Sequence, residues 1–139
     1  MPEKPKILVV DDEERFRTTL RKMLTAQGLE VVSLGSGPEA LEELKNQPFD
    51  VVLLDIRMPG MDGVEVLAEI KKIRPETEVI ILTGHASVDA ALEIIKRGGY
   101  DYLLKPCPVE DLLLKIDAAY EKKVEREKRT RKASPPATT

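Results

Sequence analysis

Four short runs of large apolar residues, Ile7–Val10, Val51–Leu54, Val79–Leu82 and Tyr102–Leu104, each stop at or beside a side chain that carries chemistry. Asp11 and Asp12 follow the first run, Asp55 the second, Thr83 the third and Lys105 the fourth. The runs are spaced as strands separated by helices. In an open parallel sheet every strand points the same way and ligands bind outside the carboxyl ends, so these residues are expected to meet in one place. A sheet edge carrying three carboxylates, a hydroxyl and an ammonium suits a divalent metal and a phosphoryl group.

The segments between the runs read as helices. Residues 6–10 are a strand, and roughly 13–27 a helix with Phe16, Leu20, Met23 and Leu24 on its apolar side, ending at Gly28. Glu30–Leu34 is a second strand. Gly37–Asn46 is a helix with Pro38 in its first turn and Ala40, Leu41 and Leu44 facing inward. Phe49–Asp55 has no solvent face and reads as a central strand. The breaker-rich loop from Arg57 to Gly63 leads into a helix over Val64–Ile73, stopped at Arg74-Pro75. Glu78–Leu82 is the fourth strand, Ser87–Arg97 a helix capped by Ser87 and ended by Gly98-Gly99, and Asp101–Leu104 the fifth strand. Pro108 opens a last helix with a stripe through Val109, Leu112, Leu113, Ile116, Ala119, Tyr120 and Val124.

Five strands in strict alternation with five helices specify an α/β protein, and right-handed crossovers place helices on both faces of a parallel sheet. Periodicity alone leaves the strand order open. If Asp11, Asp12 and Asp55 share a metal, the first and third strands are neighbours, which is the switch point of the order 2-1-3-4-5.

With 139 residues there is room for one domain of ordinary size. A composition of 42% hydrophobic and 34% charged residues is globular, and a net charge of −3 gives no overall pull toward nucleic acid. The apolar stretch at the N-terminus is too short for a signal peptide or a membrane span, so a cytoplasmic protein is expected. A single cysteine, Cys107, excludes an internal disulfide and fits a reducing compartment. Residues 5–122 are read as the folded domain, and 123–139 as a charged helix extension running into a disordered tail.

The constellation has a coherent chemistry. Clustered carboxylates repel one another, and a hard divalent cation relieves them. Mg²⁺ takes one or two carboxylates together with water and phosphate oxygens, which suits Asp12 and Asp55 with Asp11 in support; Mn²⁺ could substitute. A bound cation also cancels the repulsion between a carboxylate and a phosphoryl group, making Asp55 a candidate acceptor. Lys105 offers the transferred group a positive charge and Thr83 a hydroxyl donor. The exposed backbone of the following loop makes the Arg57 carbonyl a further candidate metal ligand.

Asp11-Asp12, the segment from Asp55 to Gly63, Thr83-Gly84 and the segment from Gly98 to Pro106 resemble, in order and spacing, the receiver domain of bacterial two-component response regulators. The likeness covers about residues 5–122. It implies a flavodoxin-like (βα)5 fold that takes a phosphoryl group from a sensor histidine kinase or histidine phosphotransfer protein onto Asp55. It further implies Mg²⁺ on Asp12, Asp55 and the Arg57 carbonyl, with Asp11 in the acidic pocket. Thr83 and Tyr102 become the switch pair, Lys105 the contact to the phosphoryl group, and Lys105-Pro106 a candidate cis bond. Output would pass to a downstream effector from a free-standing receiver, or to the output domain of a longer regulator of which this is the N-terminal part, and the face made by the fourth helix, fifth strand and last helix is a candidate homodimer surface. Neither nucleic-acid nor membrane binding is expected. Gly99 departs from the family pattern, which usually has alanine there.

Each residue taken singly has an ordinary reading: Asp12 a helix cap, Thr83 a strand-end hydroxyl, Lys105 a solvated charge. Their joint occurrence is what carries the functional one. Arg57 and His85 lie two residues past Asp55 and Thr83, and are expected to screen a phosphoryl group from water and set its lifetime. Cys107 reads as an inert small hydrophobe. An FMN-binding module of the same fold is disfavoured, because Asp11 to Glu14 would repel a phosphate. A dehalogenase-type phosphatase would need a second acid where Arg57 stands.

Overall fold

The computed structural model describes residues 4–56, 63–84 and 88–133. Strands β1 (Lys6–Val10), β2 (Glu30–Leu34), β3 (Val51–Asp55), β4 (Glu78–Thr83) and β5 (Asp101–Leu104) alternate with helices α1 (Glu14–Ala26), α2 (Gly37–Asn46), α3 (Gly63–Ile73), α4 (Val88–Lys96) and α5 (Val109–Ala133). The strands form one sheet in the order β2-β1-β3-β4-β5, and every pairing is parallel. The flavodoxin-like architecture and strand order are those the sequence implies.

Side chains alternate between the faces of the sheet. Leu8, Val10, Val52, Leu54, Val79 and Ile81 pack with α2, α3 and α4 through Ala40, Leu44, Leu67, Ile70 and Ile94. Ile7, Val9, Val51, Leu53, Ile80 and Leu82 face the other way, toward Leu20 and Leu24 of α1 and Leu112, Ile116 and Ala119 of α5. With both faces covered, β1, β3 and β4 have no polar side, which explains their unbroken aliphatic runs.

Several boundaries shift. β3 starts at Val51; Phe49 is buried just before it, and its carbonyl accepts a hydrogen bond from Thr77 Oγ1 at 2.7 Å. β4 extends to Thr83, and α3 begins at Gly63, where an added Cβ would stand 2.9 Å from both Ile56 Cγ2 and Ile94 Cδ1. Met23, expected on the apolar side of α1, is 38% exposed. Ser36 caps α2 by accepting from the Glu39 amide while its hydroxyl donates to the Glu39 carboxylate. Ser87, expected to cap α4, lies outside the described residues. Gly28 and Gly98 end their helices with φ of 88° and 118°, a region open to glycine.

α5 runs for 25 residues, to Ala133. Beyond its apolar stripe the extension is not simply solvated. Lys123 is 9% exposed and pairs with Asp50 at 3.0 Å, and Arg126 Nη2 reaches Glu78 Oε2 at 3.0 Å. Of the tail expected to be disordered, which begins at Ala133, that residue ends α5 and residues 134–139 lie outside the described residues.

Candidate phosphoacceptor and metal site

β1 and β3 are hydrogen-bonded neighbours with Val10 opposite Leu54, so the chain leaves β1 at Asp11-Asp12 beside the last residue of β3, Asp55. Asp11, Asp12 and Asp55 each present a carboxylate oxygen within 4.8 Å of the others. Asp11 is 1% and Asp55 6% exposed, while Asp12 faces solvent. Such a set of hard oxygen donors, mostly withdrawn from water and sharing one nearby ammonium, fits a small divalent cation.

Asp11 is held at both its backbone and its carboxylate. Its Oδ1 accepts from the Glu13 amide at 2.9 Å, and its Oδ2 accepts from the Lys105 ammonium. Its backbone N–H donates to the Leu34 carbonyl, and its own carbonyl accepts from Arg17 Nη1 at 2.7 Å. Both of its carboxylate oxygens therefore have protein donors, from Glu13 and Lys105.

Lys105 arrives from the opposite side of the sheet. β5 ends at Leu104, and the Lys105 N–H donates to the Thr83 carbonyl at 2.8 Å, fixing where the side chain departs. Its ammonium lies 3.1 Å from Asp55 Oδ2, bonds Asp11 Oδ2, and stands 4.2 Å from the centroid of the Phe16 ring. The Lys105-Pro106 peptide bond is cis.

Electrostatics separates the partners. Burial pushes Asp11 above the ordinary carboxylate value and Asp55 adds repulsion, against the opposing pull of Lys105 and the Glu13 amide. For Lys105, burial alone would lower the pKa, but the bond to Asp11 and the charges of Asp11 and Asp55 outweigh it and hold it above the ordinary lysine value. The difference follows from depth: the Lys105 side chain keeps 19% exposure, and it meets two opposite charges where Asp11 meets one opposite and one like.

Thr83 closes β4 fully buried, with its hydroxyl donating to the Gly84 carbonyl at 3.1 Å. Tyr102 lies on β5 opposite Ile81, half-buried against the core under α2, α3 and α4. Burial, then the charge of Asp111, raises the Cys107 thiol pKa, which makes it a poor nucleophile. Arg57, including its carbonyl, and His85 lie outside the described residues. Two residues at this edge were not assigned to it from sequence: Phe16, read only as part of the α1 stripe, and Arg17. Their spacing from Asp12 is visible in the sequence, but their contacts arise only when the chain closes.

A doubly wound sheet with three acids at its switch point and a lysine bridging two of them defines a receiver-type signalling domain. Residues 7–117 match the family model of the response regulator receiver domain, and the chain belongs to that family. It is 44% identical over 113 residues to the transcriptional regulatory protein ZraR of Klebsiella oxytoca, covering 81% of this chain and 26% of that protein. It is 41% identical over 111 residues to the DNA-binding transcriptional regulator NtrC of Klebsiella pneumoniae, covering 80% and 24%. Among solved structures, a response regulator receiver domain protein from Clostridium thermocellum matches with a TM-score of 0.81 and 40% identity, over 86% of this chain and 96% of that one. The chain thus spans about a quarter of the length of these curated relatives. Among the described residues no helix is long and apolar enough to cross a membrane.

Proposed function

We propose that Asp55 accepts a phosphoryl group from the phosphohistidine of a sensor kinase or histidine phosphotransfer protein, in a reaction that requires Mg²⁺. The observation that supports this most is the Asp55 carboxylate, 3.1 Å from the Lys105 ammonium and within 4.8 Å of the Asp11 and Asp12 oxygens. A carboxylate oxygen of Asp55 attacks phosphorus, the P–N bond to the donor imidazole breaks, and that imidazole leaves with a proton from solvent. Asp12 and Asp55, with the Arg57 carbonyl, would hold Mg²⁺ and Asp11 would orient its shell. When bound, Mg²⁺ supplies charge neutralisation between the attacking carboxylate and the phosphoryl oxygens.

Lys105 then exchanges its contact with the Asp55 carboxylate for one with the phosphoryl group, keeping Asp11 as its anchor. The Thr83 hydroxyl, which donates to the Gly84 carbonyl in the free protein, turns to the phosphoryl oxygen. Tyr102 turns inward into the space released, a two-state shift biased by the new hydrogen bond. Arg57 and His85 screen the phosphoryl group and set its lifetime. The readout falls on the face of α4, β5 and α5, where Leu92, Leu104 and Leu114 are 44%, 39% and 69% exposed. That face takes a second copy or an effector, and residues 5–122 act as the receiver, either free-standing or as the N-terminal part of a longer regulator. The chain is a cytoplasmic signalling protein that catalyses its own modification and has no turnover substrate.

The test is intact mass after incubation with a small acyl phosphate, with and without Mg²⁺, for the native chain and Asp55→Ala. One phosphoryl group is expected only with metal and only with Asp55 present. A mass gain that survives Asp55→Ala would move the acceptor elsewhere, and no gain in any arm would remove the phosphoacceptor reading.

A further inference from the structure

The Lys105 ammonium has three N–H donors on a flexible four-carbon stem, so its position over Asp55 has to be enforced from outside. Two directions are taken by Asp11 and Asp55. On a third stands the ring of Phe16, 4.2 Å from the ammonium to the ring centroid, well inside the ~6 Å over which a ring face attracts a cation. We propose that Phe16 is a positioning residue for the phosphoryl-transfer reaction: its ring face holds the Lys105 ammonium against the acceptor carboxylate and keeps water off that side. This inference rests on the phosphoacceptor reading of Asp55 and goes beyond it.

The ring is well placed for the task. Phe16 is the third residue of α1, and the loop just before α1 is the one that carries Asp11 and Asp12. That loop is tied twice to the helix start, by Asp11 Oδ1 accepting from the Glu13 amide and by Arg17 Nη1 donating to the Asp11 carbonyl. Acid pocket and ring therefore move as one unit, while Lys105 comes from a strand end on the far side of the chain. Phe16 also packs beside the core formed with α1 and α5, which limits the ring's freedom. A leucine at this position would fill comparable apolar space but offer no ring face. A tyrosine would keep the face.

The competing account is that Phe16 is an ordinary core aromatic covering the lysine stem, and the test separates the two. In the free protein the Lys105 ε-methylene protons should resonate upfield of the ordinary lysine position through the ring current of Phe16, and return to it in Phe16→Leu. Transfer from a small acyl phosphate at saturating Mg²⁺ should slow roughly three- to tenfold in Phe16→Leu and stay within about twofold of native in Phe16→Tyr. In a Lys105→Ala background, where the residual transfer is followed over longer incubations, Phe16→Leu should change the rate by less than about twofold, because the cation it acts through is gone. Unshifted lysine protons in the native chain overturn the contact. Native transfer rates in Phe16→Leu, or an equal loss in both backgrounds, overturn the positioning role. If the native chain takes up no phosphoryl group, the phosphoacceptor reading and this role fall together, and the proton shift still reports separately on the contact.

Discussion

Arg126 Nη2 lies 3.0 Å from Glu78 Oε2 at the end of the sheet opposite Asp55, joining the extension of α5 to the first residue of β4. The Glu78 side chain is 2% exposed, and its Oε2 makes no hydrogen bond of good geometry among the described residues, so the nearby charge is its main compensation. The half-buried Lys71 contributes as well: burial lowers its pKa, the charge of Glu78 opposes that, and Arg126 and Lys122 lower it further. Removing one partner of a buried pair leaves the other charge stranded, at about 3–5 kcal/mol when both are fully buried. Arg126 is 44% exposed, so Arg126→Ala is expected to cost nearer 1–2 kcal/mol, read as a lower urea midpoint at unchanged slope. Glu78→Gln added to it should recover part of the loss; no recovery would show that the charge of Glu78 is not what Arg126 compensates.

The strands, their order and the acids at their ends are legible in the sequence because one physical rule ties them together. Strands buried on both faces must be continuously aliphatic, and a parallel sheet delivers all their carboxyl ends to one edge. The Arg126 and Lys123 contacts are not legible in the same way. The run from Glu125 to Lys132 has the alternating signs of a solvated helix, and the partners Asp50 and Glu78 lie at strand starts far away in the chain. Phe16 was hidden for a different reason: helical periodicity assigns a face, not the atom that face meets. Met23 erred the other way, being apolar and in phase with Leu20 and Leu24 but one step beyond the width of the buried stripe.

Gly99 is expected to accept alanine with a gain. It has no positive φ, since Gly98 supplies the left-handed turn, and an added Cβ would stand 3.4 Å from the Ile94 carbonyl oxygen, ordinary contact. Restricting the unfolded chain should then stabilise Gly99→Ala by about 0.4–1 kcal/mol. Gly63→Ala is the contrast: its Cβ would meet Ile56 and Ile94 at 2.9 Å, and overpacking there should cost about 1–3 kcal/mol. Thermal melts of the two variants should move in opposite directions, and a loss in Gly99→Ala would mean that the turn is tighter than these distances imply.

Asp11 sets a pH dependence whose sign follows from its raised pKa. The folded state holds the Asp11 proton more tightly than the unfolded chain does, so this group favours folding below the ordinary value of 3.8 and loses that contribution as pH rises through the raised folded value. At neutral pH ionised Asp11 is therefore a cost, and Asp11→Asn should melt higher than the native chain, by a margin that narrows as pH is lowered. Lys105 keeps Asp55 as its partner in that variant. Protons should also compete with Mg²⁺ at this carboxylate, so metal affinity titrated by calorimetry should weaken on acidification less steeply in Asp11→Asn. Parallel pH curves for the two proteins would remove Asp11 from the account.

Lys123 gives the most direct measure of how far the folded unit runs along α5. Its ammonium lies 3.0 Å from Asp50 Oδ1 with only 11% of the side chain exposed, while Asp50 Oδ2 accepts from the Lys6 amide at 2.7 Å. Asp50 thereby joins the start of β1 to α5, and the Glu78 amide bonds the Asp50 carbonyl beside it. A chain ended after residue 122 loses both Lys123 and Arg126, whereas one ended after residue 129 keeps them. The shorter chain is expected to be less stable by about 2–3 kcal/mol, a melting point lower by roughly 6–15 °C, with most of the difference reproduced by Lys123→Met combined with Arg126→Ala in the longer one. The consequence reaches beyond stability, because two ion pairs one turn apart hold the extension in a fixed direction as it leaves the sheet. Equal melting points for the two truncated chains would mean that the pairs are surface contacts and that the helix is free from residue 123 onward.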